Sequence, residues 1–475
     1  MRVLLVQSYL GRQGIGDQLV YPVGLACLAT ALEEAGHSPW IVDLNAGPED
    51  PYERLAAEIK AHEPDMVGVS QRNIDSTTRK APFVFHTQLA PTLETIRRAA
   101  PGIPAVLGGP GFTQASRQMM EKYPFDFGLH SEADASILAL VENLGQPEKV
   151  PGLFWRDEEG GLQFNGAPEM PDFPALPFPR RHHVDWERYR TEERRRDLFL
   201  DIGIESTRGC PRKCAYCNYP NLNGVKLRRK PPSVVVDEIE YLHATFGVER
   251  FTFTDSRFNL NRKHAIAICE ELLRRSVPVR WTAWLGFRQV DPEFLGLMVD
   301  AGCERVAFSA DGLLQPSLDR MRKEMSTEDI NRSIRSVRSI PGLKASWSFF
   351  LTPPSTSHTE QLAMLAYYLY IQASMPGRGR MLMNWCRVEE NTHFEKVARE
   401  DGVLADGTNL LPDDPVDLEA LFYEAPGFEN WSRFWNHFLE AELRFRSVAG
   451  RVTSPLRRFG VKDLTPPHLR GNLDA

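Results

Sequence analysis

The chain has 475 residues, 42% of them hydrophobic and 25% charged, an ordinary globular composition with room for two or three domains. Its 56 basic and 63 acidic residues leave a net charge of −7, which speaks against a nucleic-acid-binding protein. No apolar run approaches the length needed to span a bilayer, and no repeat or low-complexity tract is visible.

The first 145 residues alternate short apolar runs with amphipathic stretches, the pattern of a parallel sheet covered by helices. Strands are predicted at Val3–Val6, Trp40–Val42, Met66–Ser70, Ala105–Leu107 and Phe127–Leu129. Helices are predicted from Pro22 to Gly36 and near Tyr52–His62, Leu89–Ala99, Ala115–Lys122 and Ala133–Leu144. This rhythm implies a doubly wound, flavodoxin-like (Rossmann-type) α/β domain of strand order 2-1-3-4-5, whose ligand crevice lies beyond strands one and three. The loops there are Ser8–Gly16, which carries Tyr9, and Gln71–Ser76, which carries Arg72, Asn73 and Asp75. Gly11, Gly14 and Gly16 do not match Gly-x-Gly-x-x-Gly, so a nicotinamide or flavin dinucleotide is discounted. His37 follows a helix end and reads as a surface or capping residue.

Residues 146–196 change character. Prolines crowd Pro168–Pro179, and Gly152–Phe164 reads as a hairpin turning at Glu158–Gly161, so a connector draped between domains is expected. The basic runs Arg194–Arg196 and Lys226–Lys230 read as solvated faces. The βα rhythm then resumes, with strands predicted at Leu198–Ser206, Arg250–Thr254, Val279–Trp284, Arg305–Phe308, Lys344–Leu351 and Met381–Cys386. Helices near Ser233–Phe246, His264–Arg275, Pro292–Ala301, Thr327–Ser339 and Glu360–Tyr370 separate them. Farther on, Leu418–Val448 reads as one or two helices. There Trp431, Phe434, Trp435 and Phe438 fall at i, i+3, i+4, i+7, either as a core face or as a cap over the site, with Phe445 beyond them. The tail from Pro455 is expected to be loosely packed.

Chemistry concentrates in Gly-Cys-Pro-Arg-Lys-Cys-Ala-Tyr-Cys-Asn from Gly209, where Cys210, Cys214 and Cys217 form a Cys-x3-Cys-x2-Cys triplet. Three thiolates with no fourth cysteine nearby suit a 4Fe–4S cube that keeps one iron open to a small ligand. A structural zinc site wants four ligands, often as two separated pairs, and no second pair exists. Cys27, Cys269, Cys303 and Cys386 stand singly among apolar residues and read as small buried hydrophobes, with no disulfide framework.

The triplet, with Tyr216 just before its last cysteine, resembles the radical S-adenosylmethionine (radical SAM) enzymes. Four segments resemble the cobalamin-binding domains fused to some of them (class B). These are Tyr-Pro-Val-Gly-Leu-Ala from Tyr21, with Gly24; Leu-Glu-Glu-Ala-Gly-His from Leu32; Gly-Gly-Pro at Gly108, Gly109 and Pro110; and Ser-Glu-Ala from Ser131, with Glu132. The resemblance implies a cobalamin-binding domain over 1–145, a linker with a hairpin over 146–196, a partial (β/α)6 radical SAM barrel over 197–390 and a mainly helical extension over 391–475. The cysteines would then sit at the barrel's C-terminal mouth, where parallel barrels carry their chemistry.

For S-adenosylmethionine, the resemblance implies Asp255 and Ser256 on the methionyl amine, Ser309 and Asp311 near the ribose or carboxylate, Tyr216 by the adenine and Asn218 at the base edge. Many relatives carry Glu-Ser where this chain has Ser-Ala-Asp, and Asp311 reads equally as the N-cap of a following helix. Arg322 and Lys323 read as the family's basic residue or as solvated side chains. For cobalamin, it implies Ser8, Tyr9, Gly24, Arg72, Asn73, Asp75, Gly108, Gly109, Pro110 and Glu132, with glycines of the fourth loop letting the backbone approach the corrin. Asp-x-His-x-x-Gly, which supplies a histidine to cobalt, is absent. Arg72, a poor ligand because it stays protonated, is placed beneath the metal or paired with Asp75 or a phosphate.

The implied function is a cobalamin-dependent radical SAM methyltransferase. S-adenosylmethionine is reductively cleaved to a 5′-deoxyadenosyl radical, and an unactivated carbon is methylated via methylcobalamin. One alternative is the same architecture used for cyclisation or rearrangement, and another is a non-catalytic corrinoid or redox sensor. A methylthiotransferase would need N-terminal cysteines beyond Cys27. Expected partners are a small-molecule or peptide substrate and an external flavodoxin- or ferredoxin-type electron donor. The expected location is the cytoplasm, where an oxygen-sensitive cluster is protected.

Overall fold

The computed structural model describes residues 1–11, 18–196 and 199–441. They form two compact bodies. The first comprises Met1–Pro211, Asn218–Ser256 and Asn409–Ala420, and the second comprises Arg212–Cys217, Arg257–Thr408 and the chain from Leu421.

The first body is built on seven strands: β1 (Arg2–Gln7), β2 (Ser38–Asp43), β3 (Met66–Ser70), β4 (Ala105–Gly108), β5 (Phe127–Leu129), β6 (Leu153–Arg156) and β7 (Leu162–Phe164). They lie in the order β2-β1-β3-β4-β5-β6-β7. The first five are parallel in the expected 2-1-3-4-5 order. Val3–Val6 are all buried, as befits a parallel strand covered on both faces. The following helix is Val23–Glu34, and the next, Pro51–His62, starts at Asp50, whose carboxylate accepts from the N–H groups of Tyr52 and Glu53. The hairpin expected as a draped connector instead adds the antiparallel strands β6 and β7 to the sheet edge. Its apolar side chains required a partner surface: Phe154 stacks on Phe164 at 4.2 Å and meets Phe112 edge-on. The rest of the linker contains a helix, Trp186–Arg196, that the charge-rich sequence concealed. Trp186 holds it by stacking on Phe246 and Tyr21.

The βα repeat continues with β8 (Gly203–Ile204) and β9 (Arg250–Phe253), a parallel pair in the first body. The second body holds β10 (Arg280–Leu285), β11 (Cys303–Asp311), β12 (Lys344–Phe350) and β13 (Gly379–Asn384), parallel and in chain order. The strand expected over Leu198–Ser206 is broken, because Phe199–Asp201 pairs with Gln18–Val20 instead. Strand β11 runs on to Asp311 through an irregularity at Ser309–Asp311. One face of these strands is core: Trp347 stacks on Phe308 and donates its indole N–H to Ser333 of the helix Thr327–Ser339 at 3.0 Å. The alternate residues, such as Thr282, Trp284, Ser346 and Ser348, remain partly or fully exposed.

In the second body, residues 429–441 are helical, and the expected aromatic stripe divides. Trp435 is fully buried and donates to Gln361 Oε1 at 2.8 Å, whereas Phe434 is exposed. Gly14, Gly16, Leu198, Phe445 and the tail from Pro455 lie outside the described residues, as do the side chains of Arg194–Arg196.

Candidate active site

The cysteine segment, three thiols within eight residues, is an irregular loop. Gly209, in the first body, has φ +88°, and a Cβ there would lie 2.2 Å from the Lys226 carbonyl oxygen, so only glycine fits. Cys210 N–H then donates to the Gly224 carbonyl at 3.0 Å. In the second body Cys217 N–H donates to the Cys214 carbonyl at 3.2 Å, and Ala215 N–H to that of Met321 at 2.9 Å. The Arg257 guanidinium lies 3.9 Å from Cys214 Sγ, a cation beside a sulfur that would carry negative charge as a ligand. None of the cysteines is in a disulfide, and three soft donors fit an iron–sulfur cluster.

Tyr216, between these cysteines, is held from within the second body. Its hydroxyl donates to Asp311 Oδ2 at 2.7 Å, and Ser309 Oγ donates to Asp311 Oδ1 at 2.7 Å. Asp311 also forms an ion pair with Lys323, both fully buried, and the ammonium sits 5.2 Å from the Tyr216 ring centroid. Two expectations are corrected here. Asp311 caps no helix, because Leu314 holds that place for Gln315–Arg320, and Lys323 is an ion-pair partner instead of a solvated residue. Asp311 takes a left-handed φ of +64°, rare for a non-glycine, to bring its carboxylate to this cluster. Burial, then the Asp311 charge, pushes the Tyr216 phenol well above its usual range, keeping it a neutral donor.

Asp255 and Ser256 end the β9 segment in the first body. Asp255 accepts from Ser206 N–H and Thr207 N–H, both at 2.8 Å, and from the Ser206 hydroxyl. Burial lifts its carboxyl to about 7, against the pull of those hydrogen bonds. Its structural work is therefore to fix the strand end that leads into the cysteine loop. Ser256 Oγ is buried without a hydrogen-bond partner, the kind of atom a polar ligand such as the methionyl moiety would satisfy. Asn218 is also buried, and its side chain accepts from Asn221 at 3.0 Å.

At the C-terminal ends of β1, β3 and β4 the first body forms an open cavity of about 810 Å³, toward the upper end of the roughly 300–1,000 Å³ usual for ligand sites. Of the expected contacts, Gly24, Arg72, Asn73, Gly108, Gly109, Pro110 and Glu132 line it. Ser8, Tyr9 and Asp75 do not: Ser8 is buried in the sheet end, Tyr9 packs edge-on to Tyr52, and Asp75 caps its own turn at Thr77 N–H. No ion pair joins Arg72 to Asp75. The Arg72 side chain is open to the cavity yet ringed by protein, which draws the guanidinium below its usual value against Asp201 and Asp43. Gln7 Nε2 and Asp201 Oδ1, both on cavity-lining residues, are buried without a partner. A Cβ on Gly24 would meet nothing within 4 Å, whereas one on Gly109 would lie 2.7 Å from the Gln71 carbonyl oxygen. Close approach of the chain to itself, not only to a ligand, therefore demands glycine at 109. This large polar-studded concavity fits a macrocycle with amide arms.

Sequence reasoning missed the network on the cavity's far wall. Arg208 contacts Asp134 at 2.9 Å, Glu205 at 2.8 Å and Glu132 at 3.2 Å, and its guanidinium lies 4.7 Å from the Phe173 ring centroid. Arg228 and Asn223 hold the other side of Glu132, so that carboxylate serves a salt-bridge network before any ligand. Burial pushes Glu205 up, but the adjacent Arg208 more than reverses it. The sequence signal was present in Glu205 and Arg208, charged residues just before a cysteine loop.

Two family models match the chain: the B12 binding domain over residues 17–141 and the Radical SAM superfamily over residues 204–356. An uncharacterized methyltransferase of Pyrococcus horikoshii is 24% identical over 352 residues, 73% of this chain and 72% of that protein. The cytidylyl-2-hydroxyethylphosphonate methyltransferase of Streptomyces wedmorensis is 25% identical over 67% of each chain. The anaerobic magnesium-protoporphyrin IX monomethyl ester cyclase of Cereibacter sphaeroides is 28% identical over 67% of this chain, which spans about half (51%) of that enzyme. The solved radical S-adenosylmethionine methyltransferase TsrM from Kitasatospora setae, with tryptophan and a SAM analogue bound, superposes with a TM-score of 0.73 at 22% identity, covering 90% of this chain and 87% of that one. At that identity the likeness shows the fold.

Proposed function

Because the chain belongs to the radical S-adenosylmethionine enzymes that carry a B12-binding domain, we propose that it methylates an unactivated carbon of a small-molecule substrate. The observation that carries this reading is the lining of the cavity. Residues of the B12-binding segment, among them Gly24, Arg72 and Gly108, share it with Asp201, Gly203, Glu205 and Arg208, the last only two residues before Cys210. A group held there lies against the chain segment that carries the first cluster cysteine.

Bound in these places, the cluster supplies the electron that cleaves S-adenosylmethionine, and cobalamin supplies the methyl group. The chain's own residues orient these groups. Arg208 ties the strand before Cys210 to Glu132 and Asp134 of the B12-binding segment, so the residues that lead into Cys210 are anchored to the cavity wall. Asp255 fixes the same strand end through Ser206 and Thr207. In the second body the Asp311–Lys323 pair holds the Tyr216 hydroxyl and hence the turn between Cys214 and Cys217. Ser256 offers an unsatisfied hydroxyl for S-adenosylmethionine, and Arg72 offers the cavity a cation that does not readily ligate metal. An external electron donor of flavodoxin or ferredoxin type completes the requirement, in a reducing cytoplasm.

The test is anaerobic reconstitution with iron, sulfide and cobalamin, followed by product analysis with labelled S-adenosylmethionine. Methyl transfer predicts both 5′-deoxyadenosine and S-adenosylhomocysteine, whereas cyclisation or rearrangement yields deoxyadenosine without S-adenosylhomocysteine. Failure to retain corrinoid defeats the cobalamin half of the reading. Deoxyadenosine formation that survives Cys214→Ala defeats the cluster half.

A further inference from the structure

Away from the cavity and the cysteine loop, a group of metal-type donors in the first body has no part in this chemistry. Glu33, at the end of the helix Val23–Glu34, faces His182 and His183, and the ligand atoms of all three lie within 4.8 Å of one another. His182 Nε2 is 2.9 Å from Glu33 Oε1, and His183 Nε2 is 3.5 Å from Glu33 Oε2. An ion with bonds of about 2.0–2.1 Å sets neighbouring ligand atoms about 2.9 Å apart in an octahedron and about 3.4 Å apart in a tetrahedron. The two histidine–carboxylate spacings, each to a different oxygen of Glu33, are close to these values.

A second observation points the same way. Glu33 Oε2 and both ring nitrogens of His183 are buried without a hydrogen-bond partner, and the His183 side chain is only 3% exposed. Buried polar atoms left unsatisfied are rare in native proteins and call for an explanation. The donors also stand on a firm base. Arg181, between Arg180 and His182, is fully buried, donates to the Gly203 carbonyl at 2.7 Å and pairs with Glu238. The His183 carbonyl accepts from Ile41 N–H of β2 at 2.9 Å, and the two imidazoles stack at 4.1 Å. The competing cation is Arg180, 3.6 Å from Glu33 Oε2. It is half exposed and lies closer, at 3.2 Å, to Glu34, to which it can turn.

We propose that Glu33, His182 and His183 bind one divalent transition-metal ion of the zinc type, with water completing its shell. Two imidazoles and a carboxylate suit such an ion, whereas magnesium and calcium favour oxygen-rich shells. The ion ties the helix Val23–Glu34 to the strap at residues 180–183. Because Val23 and Gly24 of that helix line the cavity, it also stiffens the cavity wall.

The full-length chain carrying its reconstituted cluster and cobalamin is equilibrated anaerobically with zinc, gel-filtered and analysed for zinc, iron and cobalt, beside His182→Ala and Glu33→Gln. Both altered side chains are substantially solvent-exposed (46% and 33%), so the fold tolerates the changes. The wild type should hold one zinc more than either variant at unchanged iron and cobalt, with affinity roughly tenfold or more above theirs. Zinc should also raise its Tm by several degrees and leave the variants unmoved. X-ray absorption should show nitrogen and oxygen ligands. Equal zinc in all three proteins, or a spectrum dominated by sulfur, overturns the proposal. Neither outcome touches the methyltransferase reading, whose products are measured separately.

Discussion

Two buried carboxylates, one in each body, resolve burial in opposite ways. Asp311 has a cation against it, Lys323, together with the hydroxyls of Tyr216 and Ser309. Asp255 pairs with no cation among the described residues; it is fed by two backbone N–H groups and the Ser206 hydroxyl, and burial lifts its carboxyl to about 7. Both were expected to hold S-adenosylmethionine directly, and each first serves the chain beside a cysteine. The contrast teaches that charge-paired and proton-adjusted carboxylates can do similar positioning work while failing under different stresses.

The sharpest way to break the comparison is Lys323→Met. It strands the Asp311 charge in the core and should cost about 3–5 kcal/mol by urea unfolding, with much of the loss recovered in Lys323→Met/Asp311→Asn. Equal instability of the double variant would show that packing, not charge, was lost.

Asp255 should respond to pH instead. Its unfolded carboxyl titrates near pH 3.9 and its folded one near 7, so between these values the folded state holds a proton that the unfolded state has lost. Its stabilising contribution is full below about pH 4 and is lost as pH rises through about 7, at no more than about 1.4 kcal/mol per pH unit. Urea midpoints of the cofactor-free chain should carry this slope, and Asp255→Asn should flatten it. An unchanged slope would place the titration elsewhere.

Two glycines extend the contrast to the cavity. Gly109→Ala meets a φ of +97° and the Gln71 carbonyl oxygen at 2.7 Å, and should cost about 1–3 kcal/mol. Gly24→Ala points its methyl into open space at the start of a helix and should change stability by no more than about 1 kcal/mol. Gly24→Leu should fold and yet retain less cobalamin, measured by its absorbance after gel filtration. Full retention would remove Gly24 from the proposed corrin contacts.

The strand order of the first five strands, the repeating βα units and the cysteine triplet were legible because each is written in local pattern: buried apolar runs, helical periodicity and close ligand spacing. The hairpin's place on the sheet edge was not, since Phe154 and Phe164 say that they need a surface without saying which. Charged residues were the hardest to read. Glu132, Arg208 and Arg228 lie 76 and 96 positions apart from acid to base, and a salt bridge leaves no periodicity in a sequence.

The sequence by itself determined the proposed chemistry, because three cysteines within eight residues and their flanking glycine carry the pattern of a cluster loop. Tertiary structure alone decided which polar residues remain available to ligands. Asp255, Asp311, Glu132 and Asp75 are engaged by partners or by their own turns, while Ser256, Gln7 and Asp201 keep unsatisfied atoms. Hydrogen-bond satisfaction depends on what surrounds an atom in three dimensions, and a side chain's type does not reveal whether the fold has already used it.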